Sequence, residues 1–330
     1  KSETKEIWIY GLDDEDNFIV KGGGKNPIKL RLIGGQNNDK YTILDGKKVI
    51  IYDFKSKKNT FKTKKGRKKL TDDYETNVYD YKKLKNSKNV IIPTIGFNPD
   101  DGVKAGFSNI YTAYGFERNP FTSQHSLSGA YYFATNGFEL DYSSEFANVF
   151  GNWNFGVNST FTSPNFATNY FGLGNNSSNP EANGFEEEDH NRVRISKFFV
   201  GTFIQWKSDL DAQIKLGVKY QTIQVENTVN RFLRSQFSAN NAIFEHQEFI
   251  NTEGSYQFEN IDNQAFPTMG MKTEVFAGYT TNLNNDNHFA YLIPSISFDY
   301  KLVSSGQLVF ATKLKSHFTF GDSYEFYQAA

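Results

Sequence analysis

The sequence predicts an all-β protein, with an antiparallel transmembrane β-barrel over residues 91–330 preceded by a small β-turn-repeat module over residues 1–90. Three observations lead there. Apolar and polar residues alternate with a period of two in segment after segment; 16% of the chain is aromatic, with 32 Phe and 19 Tyr; and connections are short at one end of these segments and long at the other. The period identifies strands, and the aromatic excess fits the girdles of membrane barrels. No run of 18 apolar residues occurs and mean hydropathy is −0.58, which excludes spanning helices but not a barrel, whose polar interior keeps the mean low. There are no cysteines, so disulfide frameworks and thiolate metal sites are excluded. The opening KSETKEIWIYG holds no apolar export signal, so the chain is expected to be processed or a fragment.

The net charge of −1 divides unequally. Residues 1–90 carry 22 Lys+Arg and 13 Asp+Glu, a net of +9, against −10 for the remainder, and this sets a boundary at about residue 90. In the first module, EIWIYGLDDEDNFIV (6–20) and KLRLIGGQNNDKYTI (29–43) align at a shift of 23, matching Gly11 to Gly34, Asp16 to Asp39 and Phe18 to Tyr41. KVIIYDFKSKKNTF (48–61) is a third unit whose turn has lost its glycine. Each unit reads strand, polar turn, strand, which predicts a stack of β-turn units or a short β-roll. The turns resemble the glycine-aspartate repeats of calcium-binding β-rolls, which makes Asp13, Asp14, Asp16, Asn37, Asn38 and Asp39 candidate calcium ligands. Solvated turn residues are the alternative. The run KSKKNTFKTKKGRKK (55–69) reads as a solvated edge guarded against pairing; its other reading is contact with phosphates, those of anionic lipid rather than nucleic acid in an envelope protein.

Beyond the boundary, strands are expected at 91–98, 102–115, 123–134, 137–148, 152–163, 192–206, 211–224, 248–261, 271–281, 289–303 and 306–320, eleven in all. Many exceed the 5–6 residues usual in soluble sheets. The turns ERNPFTSQ, FGN, KSD, FPTMG and SSG fall at one end; the long loops FGLGNNSSNPEANGFEEEDHN and the region around NRFLRSQFSANNAIFEHQ fall at the other. Short turns opposite long loops are the pattern of a membrane barrel, in which Ile214, Leu216 and Val218 face lipid while Lys215 and Lys219 face a wet lumen.

NYFGLGNN (169–176), then NRVR (191–194), then AFPTMGMKTEV (265–275) resemble the bacterial surface-antigen barrel of the outer-membrane assembly-factor superfamily. The residues that carry the resemblance are Phe171, Gly172, Leu173, Gly174 and Asn175 before the long loop, and Phe266, Pro267 and Gly270 at a later turn. The resemblance covers about residues 91–330 and implies a sixteen-stranded barrel, of which about eleven strands would be present and the remainder cut off. Such a partial sheet would leave two unpaired edges. Best-known members carry periplasmic POTRA domains with paired helices, whose pattern residues 1–90 lack. The module followed by DDYETNVYDYKK and IPTIGFNPDDGVKAG looks more like Bacteroidetes-type proteins in which a calcineurin-like metallophosphoesterase precedes the same barrel.

Catalytic patterns are absent. His125, His190, His246, His288 and His317 form no HxxxH or HExxH, GxSxG does not occur, and KGGGKNP lacks the spacing of a phosphate loop. Glu186, Glu187, Glu188 and Asp189 beside His190 read as a solvated loop or as ligands for ions bridging lipopolysaccharide, and NSS at Asn176 fits a sequon. The expectation is a non-enzymatic outer-membrane protein, residues 1–90 lying in the periplasm. It would act in membrane biogenesis by offering strand 91–98 as a seam to client proteins, or anchor an upstream domain such as the phosphoesterase. A passive porin or uptake channel is the other reading. Outer-membrane lipid, lipopolysaccharide and unfolded client or assembly proteins are the expected partners, with no nucleic acid.

Overall fold

The computed structural model describes residues 3–22, 27–98, 101–172, 190–208, 210–321 and 324–328. The chain folds into two compact units, Lys1–Asn86 and Ser87–Ala330.

The first unit is a parallel stack. Strands β1 (Glu6–Tyr10), β3 (Lys29–Ile33), β5 (Val49–Asp53) and β7 (Arg67–Leu70) form one sheet, and β2 (Asn17–Val20), β4 (Lys40–Ile43) and β6 (Thr60–Phe61) form a second. The register carries the repeat directly: Glu6 lies on Lys29 and Phe18 on Tyr41, the shift of 23 seen in the sequence. Because parallel coils superpose equivalent residues, like side chains form columns. Phe18, Tyr41 and Phe61 stack with ring centroids 5.1 and 5.2 Å apart and planes within 12°. Leu32, Ile43, Val49 and Ile51 fill the space beside them. The glycine missing from the third unit is replaced by Asp53, fully buried in register after Tyr52. Past β7 the chain forms α1 (Tyr74–Asn77), capped where Asp73 accepts from Thr76 N at 3.0 Å, and Tyr79 packs edge-on against Tyr10.

The second unit is one antiparallel sheet. Its strands are β8 (Lys88–Asn98), β9 (Gly102–Ala113), β10 (Ser123–Tyr132), β11 (Gly137–Phe150), β12 (Trp153–Thr162), β14 (Arg192–Lys207), β15 (Ala212–Val225), β16 (Gln247–Ile261), β17 (Met269–Asn282), β18 (His288–Lys301) and β19 (Val309–Lys315). They pair in chain order, with β8 and β19 at the outer edges. Two short strands lie off this path: β13 (Ala167–Asn169) pairs β14, and β20 (Phe318–Phe320) pairs β18. The strand expected at 306–320 is thus corrected to two pieces, β19 and β20, broken at Ser316 and His317 where Ser316 N turns to Pro294 O at 3.1 Å. Strand β8 starts at Lys88, ahead of the expected 91, because Lys88 to Ile91 continue the ladder opposite Thr112 to Asn109.

Candidate functional site: the polar face and free edge of the large sheet

The alternation that defines the strands sorts their side chains into two faces, and exposure runs opposite to that of a water-soluble fold. On one face Ile91, Ile95, Phe107, Leu140, Leu216, Val218, Phe298 and Leu314 are exposed, Ile95 at 86%. On the other, Lys104, Glu139, Glu145, Lys207, Lys219, Glu253, Glu259 and Lys272 are half-buried and paired, while Lys197, Lys313 and Lys315 are exposed. An open apolar face opposite a face of paired charges is the pattern of a sheet whose outer face meets lipid.

Among the described residues, four charged clusters lie on this face. Lys104 Nζ donates to Tyr132 Oη at 3.2 Å, which donates to Glu139 Oε1 at 2.9 Å. Glu145, Lys207 and Asn154 form a second: Lys207 Nζ and Asn154 Nδ2 donate to Glu145 Oε1 at 2.7 and 2.6 Å. The Lys207 contact spans β12, since Lys207 sits on β14 and Glu145 on β11. In the third, Lys219 Nζ donates to Glu253 Oε1 at 2.7 Å and Tyr291 Oη reaches the same oxygen at 3.3 Å across β17. The fourth is Lys272 with Glu259 at 3.0 Å. Lys215 lies over the Phe203 ring at 3.8 Å. The lysines expected in a wet lumen therefore do lie on this face, but engaged with partners.

Glycines make room for those partners. Gly156 is the cross-strand partner of Phe203, and Gly278 that of Tyr291. A Cβ at either glycine would overlap the ring opposite, so each aromatic lies across bare backbone.

Connections fold over both ends of this face. At one end, residues 226–246 carry α2 (Phe232–Gln236) and bury Leu233, Ile243 and Phe244 against Val193, Ile195, Ile223, Val225 and Phe249, with Tyr170, Phe326 and Tyr327 packed alongside. Ile223 and Val225 share the parity of Lys215 and Lys219, so this cover rests on the charged face. At the other end Phe116 and Phe121 are buried, Lys207 lies 5.4 Å from the Phe121 ring, and Asn154 donates to Asn119 O at 2.7 Å.

The residues singled out in the sequence take separate places. Gly172 has φ 97° and lies beside the Phe232 ring, and Phe171 is partly exposed; Leu173, Gly174 and Asn175 lie outside the described residues, as do Asn176 and 186–189. Phe266 is 81% exposed in a turn closed by Asp262, whose carboxylate accepts from Thr268 N, Thr268 Oγ1 and Met269 N and is thereby held well below the usual carboxylate range. Gly270 has φ 140° against Asn260 O, where a Cβ would overlap the carbonyl, and Pro267 precedes it in the same turn. The two motif groups stand at opposite ends of the strands and form no common site. The histidines are scattered too: His125 Nδ1 lies 3.0 Å from Tyr142 Oη, and His246 lies 4.0 Å from Glu248.

The six calcium candidates divide between surface and interior. Asp13, Asp14, Asn37 and Asn38 are exposed; Asp16 and Asp39 turn inward. Asp16 N donates to Asp39 Oδ1 at 2.8 Å, and Asp39 N to Asn59 Oδ1 at 2.9 Å, a ladder along the stack. Asp39 Oδ2 is buried without a hydrogen bond. It converges with Asp53 Oδ2 and Tyr41 Oη on the place a Gly34 Cβ would take, and Tyr41 donates to Asp53 at 2.7 Å. Burial, and after it the charges of Asp53, Asp16 and Glu15, push the Asp39 carboxyl up to about 6. Among the described residues no three His, Cys, Asp or Glu side chains are arranged to hold a metal ion.

No protein-family profile matches the chain, and no curated protein does. Among solved structures, the chain is similar to BamA from Haemophilus ducreyi lacking POTRA domains 1–3, with a TM-score of 0.51 at 15% identity. The match covers 73% of this chain and 43% of that one. At that identity the likeness is one of fold: the large sheet is BamA-like.

Proposed function

We propose that residues 91–330 are part of an outer-membrane β-barrel that helps other β-strands enter the membrane, with the first unit in the periplasm and lipid and lipopolysaccharide around the exposed apolar face. The observation that carries the reading is the exposed apolar face of a BamA-like sheet, to which β8 contributes Ile91, Ile95 and Phe97; β8 pairs β9 along its whole length and has no second neighbour among the described residues. An unpaired backbone edge in an apolar setting is unstable until another strand completes it, so β8 is suited to template a client strand. The test places a photo-crosslinking amino acid at Ile92, then at Tyr220 in mid-sheet as control. Crosslinks to nascent outer-membrane proteins from position 92 alone support the role, and equal or absent crosslinking from both removes it.

A second reading, membrane anchor of an upstream domain, is favoured by the form of the first unit. It is a parallel stack in which α1 is a single turn, unlike the helix-bearing modules that the family resemblance implies. An intact barrel with no client crosslinks would select it. The connections folded over both ends of the charged face speak against a passive porin.

A further inference from the structure

The first unit is electrically polarised along its stacking axis. Residues 3–22, which form the first coil, hold six acidic side chains against two basic; residues 55–69, which form the last, hold nine basic and no acidic. In a sequence this is only a gradient. Parallel stacking turns it into geometry, because β1 and β7 are the two outer strands of their sheet, three spacings or about 14 Å apart.

Protection of a free edge accounts for part of the basic end only. Arg67, Lys68 and Lys69 lie on β7, where charge discourages pairing. Lys62 continues the edge strand β6, its N donating to Tyr41 O, while Lys55, Lys57, Lys58, Lys64 and Lys65 lie in the turns before and after it, and all six are exposed. Asp72, which accepts from Ser56 N at 2.8 Å, offsets one of these charges.

We propose that this last coil seats the first unit on anionic phospholipid head groups. The inference rests on the membrane reading of the large sheet. If β8 enters the bilayer, the tether limits the distance and the charge chooses the face: Tyr79 packs on Tyr10 of β1, about 14 Å from the basic end, and nine residues, 80–88, span at most about 30 Å to the first membrane strand. The basic end is then held within reach of the head groups, and its field selects the docked orientation while the acidic coil turns away. The segment 81–88 adds Lys82, Lys83, Lys85 and Lys88 with exposed Tyr81 and Leu84, groups at home in an interface. Each basic residue brought to an anionic surface strengthens partitioning about fivefold.

The test uses the whole chain, which has no cysteine of its own. It is inserted into vesicles of phosphatidylcholine alone or with about a third phosphatidylglycerol, and a fluorophore is placed through Ser56→Cys or Asp14→Cys. Quenching by head-group nitroxide lipid reads proximity. Docking predicts quenching at position 56 in anionic vesicles, little at position 14, and loss in half-molar salt. Replacing Lys57, Lys58, Lys62 and Lys64 by Gln is expected to weaken the docked state by several hundredfold. Equal quenching at both positions, or quenching indifferent to lipid charge, overturns the proposal. So does tighter binding to a DNA oligonucleotide than to the anionic vesicles, which would assign the basic end to nucleic acid. Protease protection of residues 88–315 separates the levels: a protected sheet without quenching refutes docking alone, whereas an unprotected sheet refutes the membrane reading and docking with it.

Discussion

Replacing Asp39 with Asn is expected to stabilise the first unit at neutral pH. Asp39 sits in a column with Asp16 before it and Asn59 after it, so an amide already occupies the equivalent place one coil on. Asn keeps an oxygen to accept from Asp16 N and puts an NH2 where Asp39 Oδ2 has no partner and faces Asp53 Oδ2 and Tyr41 Oη. The magnitude follows from linkage. A carboxyl at about 6 in the folded chain and about 3.9 unfolded binds more protons when folded, so stability falls as pH rises from about 4 to about 6. The full shift corresponds to about 3 kcal/mol at pH 7; solvent near so thin a stack reduces this to about 1–2 kcal/mol. For a unit of this size that is about 5–12 °C in Tm. Hydrogen exchange of the β3 and β5 amides, corrected for intrinsic pH dependence, reads it locally. Wild type should lose protection between pH 4 and 6 while Asp39→Asn stays level, the two agreeing at pH 4. A variant less protected at pH 7, or a wild type whose protection rises across that window, would refute the reasoning.

Three further outcomes follow from the large sheet. Val218→Arg, on the apolar face near the middle of β15, should cost about 2–4 kcal/mol in a bilayer, while Lys215→Arg on the other face should change little in urea unfolding. Gly278→Ala drives a methyl into the Tyr291 ring and should cost about 1–3 kcal/mol; Tyr291→Ser added to it should recover most of the loss, and additive costs would show the overlap to be irrelevant. Glu145→Gln should destabilise more than Glu253→Gln, because the Glu145 and Lys207 side chains are 16% and 20% exposed and the oxygen also holds Asn154, whereas Glu253 is 40% exposed; equal losses in the same assay would contradict this ranking.

Much of the sheet was legible because each strand reports its own pairing geometry. A period of two places Glu139 opposite Leu140 in orientation wherever the neighbours are, and the repeat shift of 23 fixed the first-coil register before any contact was known. The charged clusters were not legible. Glu145 meets Lys207 across an intervening strand and 62 residues of chain, a pairing set by the stagger between strands, which leaves no local pattern. The interior turn of Asp39 was hidden for a related reason: an acid in a glycine-rich turn looks solvated, and only stacking reveals that the next coil covers it. The break between β19 and β20 was missed because alternation continues through His317 while the hydrogen bonds do not.

The membrane role turns on whether the exposed apolar face meets lipid and the charged face does not. Single cysteines along Gln213–Gln221 of β15, in a chain without any other, test it directly. A water-soluble maleimide should label positions 213, 215, 217, 219 and 221, and nitroxide lipid tails should quench fluorophores at 214, 216, 218 and 220. Uniform labelling by the maleimide, or lipid quenching at the lysine positions, would contradict it.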